Sequence, residues 1–188
     1  MPTDRFDVQY AALGLLLEAP RHGYALRARL ESELGPIWRV ASSQLYAVLR
    51  RLEASGWVRS ARESSELGPG RRTYAITDIG EGAFWAWCLT PAAHLRDLRV
   101  ELLAKLYFLR RLRPDEVGSL LAAQRARLSS QLRRILSAGP KLPADPSLSE
   151  WATAYRCGQL RQAIEWLDAA RRPMEREGAK RCAGDGGA

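Results

Sequence analysis

No apolar run in this chain approaches the roughly 20 residues that a membrane-spanning helix needs. The longest, Ala11 to Leu17, is interrupted by Gly14. The opening residues MPTDRFD are charged and contain no hydrophobic segment of signal-peptide type. A membrane or secreted protein is therefore not expected, and the cytoplasm is the expected location. Cysteine is scarce. Cys88, Cys157 and Cys182 are widely spaced, odd in number and outside any CxxC pattern. That argues against a disulfide scaffold or a zinc ribbon and fits a reducing compartment. Histidine is scarcer still: His22 and His94 are the only two, and neither sits in an HExxH or triad-like local signature. With so few general bases and metal ligands, no enzyme, metal or cofactor is expected.

What the chain does have is a balance of 46% hydrophobic and 27% charged residues over 188 positions, which suits a folded protein of one domain or two small ones. Its net charge of +8 points to an anionic partner. Residues 39–72 carry 7 basic and 3 acidic side chains, between two slightly acidic flanks. The C-terminal half is diffusely basic. Lysine occurs only at 105, 141 and 180, so nearly all the positive charge is arginine, which can contact phosphate or guanine with two bonds at once.

Along the chain, Val8–Glu18 reads as a helix buried on most of its surface. Pro20 and Gly23 break it, and a second helix runs to Leu34 with Tyr24, Leu26, Leu30 and Leu34 assigned to one side. Residues 37–40 read as a short extended linker. Ser42 can cap a third helix, in which Leu45, Val48, Leu49 and Leu52 form an apolar stripe. Ser43, Ala47, Arg50 and Ala54 then point the opposite way, with Gln44, Tyr46 and Arg51 on the flanks. Gly56 closes that helix. Residues 57–62 and 71–76 read as two strands joined by a turn-rich loop at 63–70. A fourth helix runs from Thr77-Asp78 to Leu89. The second half reads as all-helical. Leu95, Leu98, Leu102, Leu106 and Leu109 lie close to a heptad seam, and Pro114 can open a further helix. A proline-rich linker spans 139–146, and a last helix follows.

Helix–helix–helix–strand–loop–strand is the order of a winged helix-turn-helix, whose third helix enters the major groove while the wing touches backbone. The basic window covers that helix and the wing. The expected fold is thus mainly α: a winged helix-turn-helix domain with a two-stranded wing over 1–92, a helical dimerisation domain over 93–172, and a disordered tail over 173–188. A winged-helix adaptor that binds proteins rather than DNA is the alternative reading.

Five segments carry a family resemblance: Leu13-Gly14-Leu15-Leu16, Pro20 to Leu26, Ser42-Ser43-Gln44-Leu45-Tyr46, Leu49 to Val58, and Gly70 to Gly80. In this order they resemble the PadR family of bacterial transcriptional regulators. The resemblance implies a homodimeric regulator, usually a repressor, that binds double-stranded operator DNA and is released by a small molecule. Ser43 and Ala47 depart from the glycine and proline common in the family. Glu63 and Glu66 put negative charge in the wing.

The DNA-binding candidates are Ser42, Ser43, Gln44, Tyr46, Ala47, Arg50 and Arg51 on the third helix, with Arg71 and Arg72 on the wing. Strand alternation puts Arg72 with Tyr74 and Ile76, leaving Arg71 as the better phosphate contact. His22 is read as hydrogen-bonded, Gly23 as turn-forming and Tyr24 as packed under the helices. The six tryptophans read mostly as core anchors. Trp85, Trp87, Tyr107, Phe108 and Trp151 could also line a pocket for a planar aromatic effector. The 95–109 leucines are either intramolecular core or a dimer seam, with the seam favoured.

Overall fold

The computed structural model describes the backbone of residues 8–36, 41–63, 71–138 and 146–184, and the side chains of all of these except 62, 63, 71, 146 and 173–184. In chain order it contains α1 (Val8–Glu18), β1 (Arg21–His22), α2 (Gly23–Arg29) continued by a π turn (Leu30–Leu34), α3 (Ser42–Ala54), β2 (Val58–Glu63), β3 (Arg71–Ile76) and α4 (Asp78–Leu89). A 3-10 turn (Leu95–Asp97) and a π turn (Leu98–Leu102) lead into α5 (Leu103–Leu112). A 3-10 turn (Pro114–Glu116), α6 (Val117–Ala138) and α7 (Pro146–Gly184) complete the order. Two compact units result: Met1–Thr90 with Asp97–Leu112, and Pro91–Arg96 with Arg113–Ala188. Among the described residues no helix is long and apolar enough to cross a membrane.

The first unit is built around α1. Its Ala11, Ala12, Leu13 and Leu15 are wholly buried, as the near-continuous apolar sequence demands. Gly14 has a steric reason. A Cβ there would lie 2.5 Å from the Phe108 ring, so only glycine lets α5 approach this closely. Phe108 in turn meets Phe84 of α4 edge to face, with centroids 5.4 Å apart. This packing draws residues 97–112 into the first unit, so the expected boundary at 92 does not coincide with the observed division. The heptad reading of 95–109 changes for the same reason. The stretch opens with 3-10 and π turns rather than one continuous helix, and Leu102 and Leu109 are buried within this chain. They are intramolecular core.

Two polar clusters tie elements of this unit together. Glu18, at the end of α1, accepts from Arg29 at 2.5 Å, Arg111 at 2.9 Å and Arg21 at 3.4 Å, joining β1, α2 and α5 to α1. Burial pushes the Glu18 carboxyl up, but the bonds from Arg111 and Arg29 outweigh it and hold the group below its ordinary value. Lys105 is buried, with its ammonium donating to the Thr90 carbonyl at 2.6 Å and to Glu101 at 2.5 Å. It also lies 5.0 Å from the centroid of the Trp87 ring. Burial pushes its pKa down, and Glu101 offsets part of that.

The two-stranded wing, β2–β3, is extended by β1 into a three-stranded sheet in the order β1-β3-β2. The β2–β3 hairpin is antiparallel from Val58 opposite Ile76 to Glu63 opposite Arg71. On the other edge of β3, Arg21 faces Tyr74 and His22 faces Thr73. The break between the first two helices leaves His22 extended, and the free edge of β3 pairs with it. The linker 37–40 and the wing loop 64–70, with Glu66, lie outside the described residues, as do the side chains of Glu63 and Arg71.

In the second unit α6 and α7 pack together, burying Leu120, Leu121 and Leu128 of one helix and Cys157, Leu160 and Leu167 of the other. The backbone of α7 stays helical past Pro173 to Gly184, where composition alone predicts a tail. Proline's fixed φ is compatible with a helix, and the loss is a backbone bond plus crowding at one turn. Beyond it, Met174, Glu175, Arg176, Glu177, Ala179 and Lys180 are good helix formers, with Gly178 the exception. The linker residues 139–145 and the last residues 185–188 lie outside the description.

Candidate nucleic-acid interface

α3 adopts the predicted amphipathic arrangement. Leu45, Val48, Leu49 and Leu52 are buried, and Ser43, Gln44, Tyr46, Arg50 and Arg51 are exposed, with Ser42 and Ala47 partly so. The cap differs from expectation. Ala41, in extended conformation, occupies the N-cap, and its carbonyl accepts from Gln44 at 3.0 Å and Leu45 at 3.2 Å. Ser42 is the first helical residue rather than the cap. At the other end Gly56 has φ 73°, which glycine adopts freely. There Gly56 N–H donates to Glu53 and Trp57 N–H to Leu52, a Schellman arrangement that satisfies the last carbonyls of the helix.

The wing is fastened to this helix through Glu53. Its carboxylate accepts from the Ser60 hydroxyl at 2.5 Å and from Arg72 at 3.3 Å. Arg72 is therefore engaged internally rather than simply projecting, although both groups remain partly exposed, and pairs of that kind are worth little. Arg50 and Arg51 differ: among the described residues they make no ion pair. Arg21, Arg29 and Arg111 are committed to Glu18, and Arg27 to Glu31. α3 thus keeps Arg50 opposite its leucine stripe and Arg51 on the flank, both exposed and neither in an ion pair among the described residues.

The Arg21-His22-Gly23-Tyr24 segment borders the same surface. Its chemistry is structural at His22, whose Nδ1 lies 3.0 Å from the Thr73 hydroxyl. Gly23 is not needed for its backbone angle. A Cβ at that position would meet the Tyr46 ring at 2.8 Å, so glycine makes the seat on which the partly exposed Tyr46 rests. Tyr24 is 58% exposed and stacks on His22, contrary to the expectation that it packs under the helices. The signal was available: at 100° per residue Tyr24 lies about 160° from Leu26, on the far side from the buried stripe. It is the surface residue that the sequence reading missed here.

The expected effector rings are divided between the two units. Trp85, Trp87, Tyr107 and Phe108 lie in the first unit, where Phe84 contacts Trp85, Trp87 and Phe108, and Tyr107 packs on Phe108. Trp87 also stacks on Tyr10, and Trp85 donates to Glu81. Phe108 is buried completely. Trp151 belongs to the second unit and is 71% exposed. Among the described residues no tryptophan belongs to the buried core; the phenylalanines supply that role. No group of three or more metal-ligating side chains occurs among the described residues.

Residues 12–85 match the transcriptional regulator PadR-like family. A probable transcriptional regulator of Mycobacterium tuberculosis, Rv1176c, is 27% identical over 182 residues, covering 85% of this chain and 93% of that protein. The negative transcriptional regulator PadR of Bacillus subtilis is 27% identical over 139 residues, covering 73% of this chain and 75% of the relative. The crystal structure of Bacillus subtilis PadR in complex with operator DNA aligns with a TM-score of 0.45 at 22% identity, covering 87% of this chain and 96% of that one.

Proposed function

With residues 12–85 belonging to the PadR-like family of transcriptional regulators, we propose that the protein is a dimeric repressor that binds operator DNA in the cytoplasm and is released by a small molecule. The observation that carries the DNA reading is the outward face of α3, where Arg50 and Arg51 are exposed and unpaired among the described residues, beside Ser43, Gln44 and Tyr46. Charged side chains without internal partners need no desolvation of an existing ion pair before they meet a phosphate or a guanine edge. The name of the Bacillus subtilis relative, a negative regulator, supports repression.

The dimer reading is supported by α7. Leu148, Tyr155 and Trp166 are exposed and fall within about 20° of one another around the helix, with Trp151 about 60° to the side. A second copy of the chain would cover this apolar stripe and bring a second α3 to the other half-site.

A mobility-shift titration with the DNA upstream of the protein's own gene, at two salt concentrations, tests the DNA reading. Arg50→Ala should cost about 1–3 kcal/mol on the cognate sequence only. Arg71→Ala, on the wing, should weaken binding to all sequences and reduce the salt slope by about 1. Unchanged binding in both variants would favour a protein-binding adaptor.

A further inference from the structure

The second unit contains a cavity of about 380 Å³ that none of the five candidate effector rings lines. Three stretches of chain build it: His94, Leu95 and Arg96, then Gln131 of α6, then Arg156, Gln159 and Leu160 of α7. Residues 156, 159 and 160 share one helix face by their spacing. No carboxylate is among the lining residues, and Arg156 makes no ion pair among the described residues. Gln159 already donates to the Tyr155 hydroxyl at 2.8 Å, which fixes its amide. Leu160 is buried and gives the cavity an apolar floor.

The wall carrying His94 and Arg96 is held in place from behind. The buried Gln124 amide accepts from the Ala92 N–H at 2.6 Å and donates to the Ala92 carbonyl at 3.2 Å. One turn further along α6, Arg127 donates to the Ala93 carbonyl at 3.3 and 3.4 Å. Gln124, Arg127 and Gln131 follow one another along a single face of α6. The first two pin segment 91–96, and the third opens onto the cavity beside it. The backbone of this wall is therefore held at Ala92 and Ala93 before any ligand arrives, which lowers the ordering cost of binding. Two guanidiniums, two amides and an apolar floor match one ligand chemistry, an oxyanion on a compact apolar body. The volume is at the lower end of small-molecule sites, which span roughly 300–1,000 Å³.

We infer that this cavity is a binding site for a small organic oxyanion, a carboxylate or phosphate monoester carrying a short aliphatic group. Arg96 and Arg156 receive the charge, the glutamine amides complete its hydrogen bonds, and the aliphatic part rests on Leu95 and Leu160. Segment 91–96 is flanked in sequence by first-unit residues on both sides, so the ligand engages the stretch through which the chain passes between units. The regulatory consequence rests on the proposed release of operator DNA; anion binding does not.

Isothermal titration of the full chain with hexanoate, hexyl phosphate and neutral hexanamide tests the site. At least one anion should bind with a Kd on the order of 1 mM or tighter. Hexanamide should bind at least about tenfold more weakly, and Arg156→Gln should weaken the anion by a similar factor. Arg156 is exposed and makes no ion pair among the described residues, so its replacement leaves the fold intact, as circular dichroism will register; Arg96→Gln supplies the second variant. Equal binding of hexanamide, full affinity in both variants, or no binding of either anion would overturn the inference. The ratio of hexanoate to hexyl phosphate affinity identifies which oxyanion the site takes. Mobility shifts with the bound anion present form a separate arm: operator binding that ignores a bound anion refutes the release reading and leaves the site standing.

Discussion

Gly23 and Gly80 are both crowded, but against neighbours that can give to very different degrees. At Gly23 a Cβ meets the edge of the Tyr46 ring at 2.8 Å, and that ring is 39% exposed and can swing outward. At Gly80 it meets the backbone carbonyl oxygen of Trp57 at 2.1 Å, which cannot move without shifting the chain. Gly80→Ala should therefore destabilise by about 3 kcal/mol, the upper end of ordinary overpacking costs. Gly23→Ala should cost no more than about 1 kcal/mol in stability. Because it displaces Tyr46 from the α3 surface, it should nonetheless reduce operator affinity. Urea denaturation and mobility shifts on the two variants separate the effects. A large stability loss in Gly23→Ala would show that the Tyr46 ring is held firmly.

Between elements, short polar links do what the small sheet cannot. Thr77 caps α4 by accepting from Gly80 N–H at 3.2 Å, and its hydroxyl donates to the Gly56 carbonyl at 2.7 Å, in the turn that ends α3. Thr77→Ala removes both and should cost about 1–2 kcal/mol, while Thr77→Ser should stay near wild type. An unchanged urea midpoint in the alanine variant would refute this. Glu18 links more elements and adds a pH signature. Its carboxyl is depressed in the folded state, so its contribution is present above the unfolded value of about 4.3 and is lost as pH falls through the lower folded value. At neutral pH Glu18→Gln should be less stable by about 2 kcal/mol. The gap between the two proteins should close as the solution is acidified below pH 4. A constant gap across the acid range would assign the loss to packing instead.

For the whole molecule, the exposed aromatic stripe of α7 predicts an assembly. Trp151→Glu combined with Tyr155→Glu should convert the proposed dimer to a monomer in sedimentation equilibrium. Both side chains are more than two-thirds exposed in the single chain, so helicity should not change. A species that stays dimeric would move the interface elsewhere on the second unit. A wild-type monomer at micromolar concentration would remove the dimer itself.

Local pattern decided the helices and the outward face of α3. The spacing of Leu45, Val48, Leu49 and Leu52 fixes which side is buried, and Thr77, Gly56 and the break after Glu18 mark ends through bonds made within a few residues. Tyr24 is equally legible, since its spacing from Leu26 puts it on the far side of its helix from the buried stripe. Other features were decided by partners distant in sequence. β1 exists because β3 offers an edge 51 residues away, and Glu18 becomes a hub because Arg111 arrives 93 residues later. α5 joins the first unit because Phe108 fits the gap at Gly14, and the anion cavity exists because three separate stretches meet. Periodicity specifies that a face will be buried, since every side chain on it sees the same helix. Which neighbour buries it is set by the complementary shape and charge of another segment, and that pairing arises only when the chain folds.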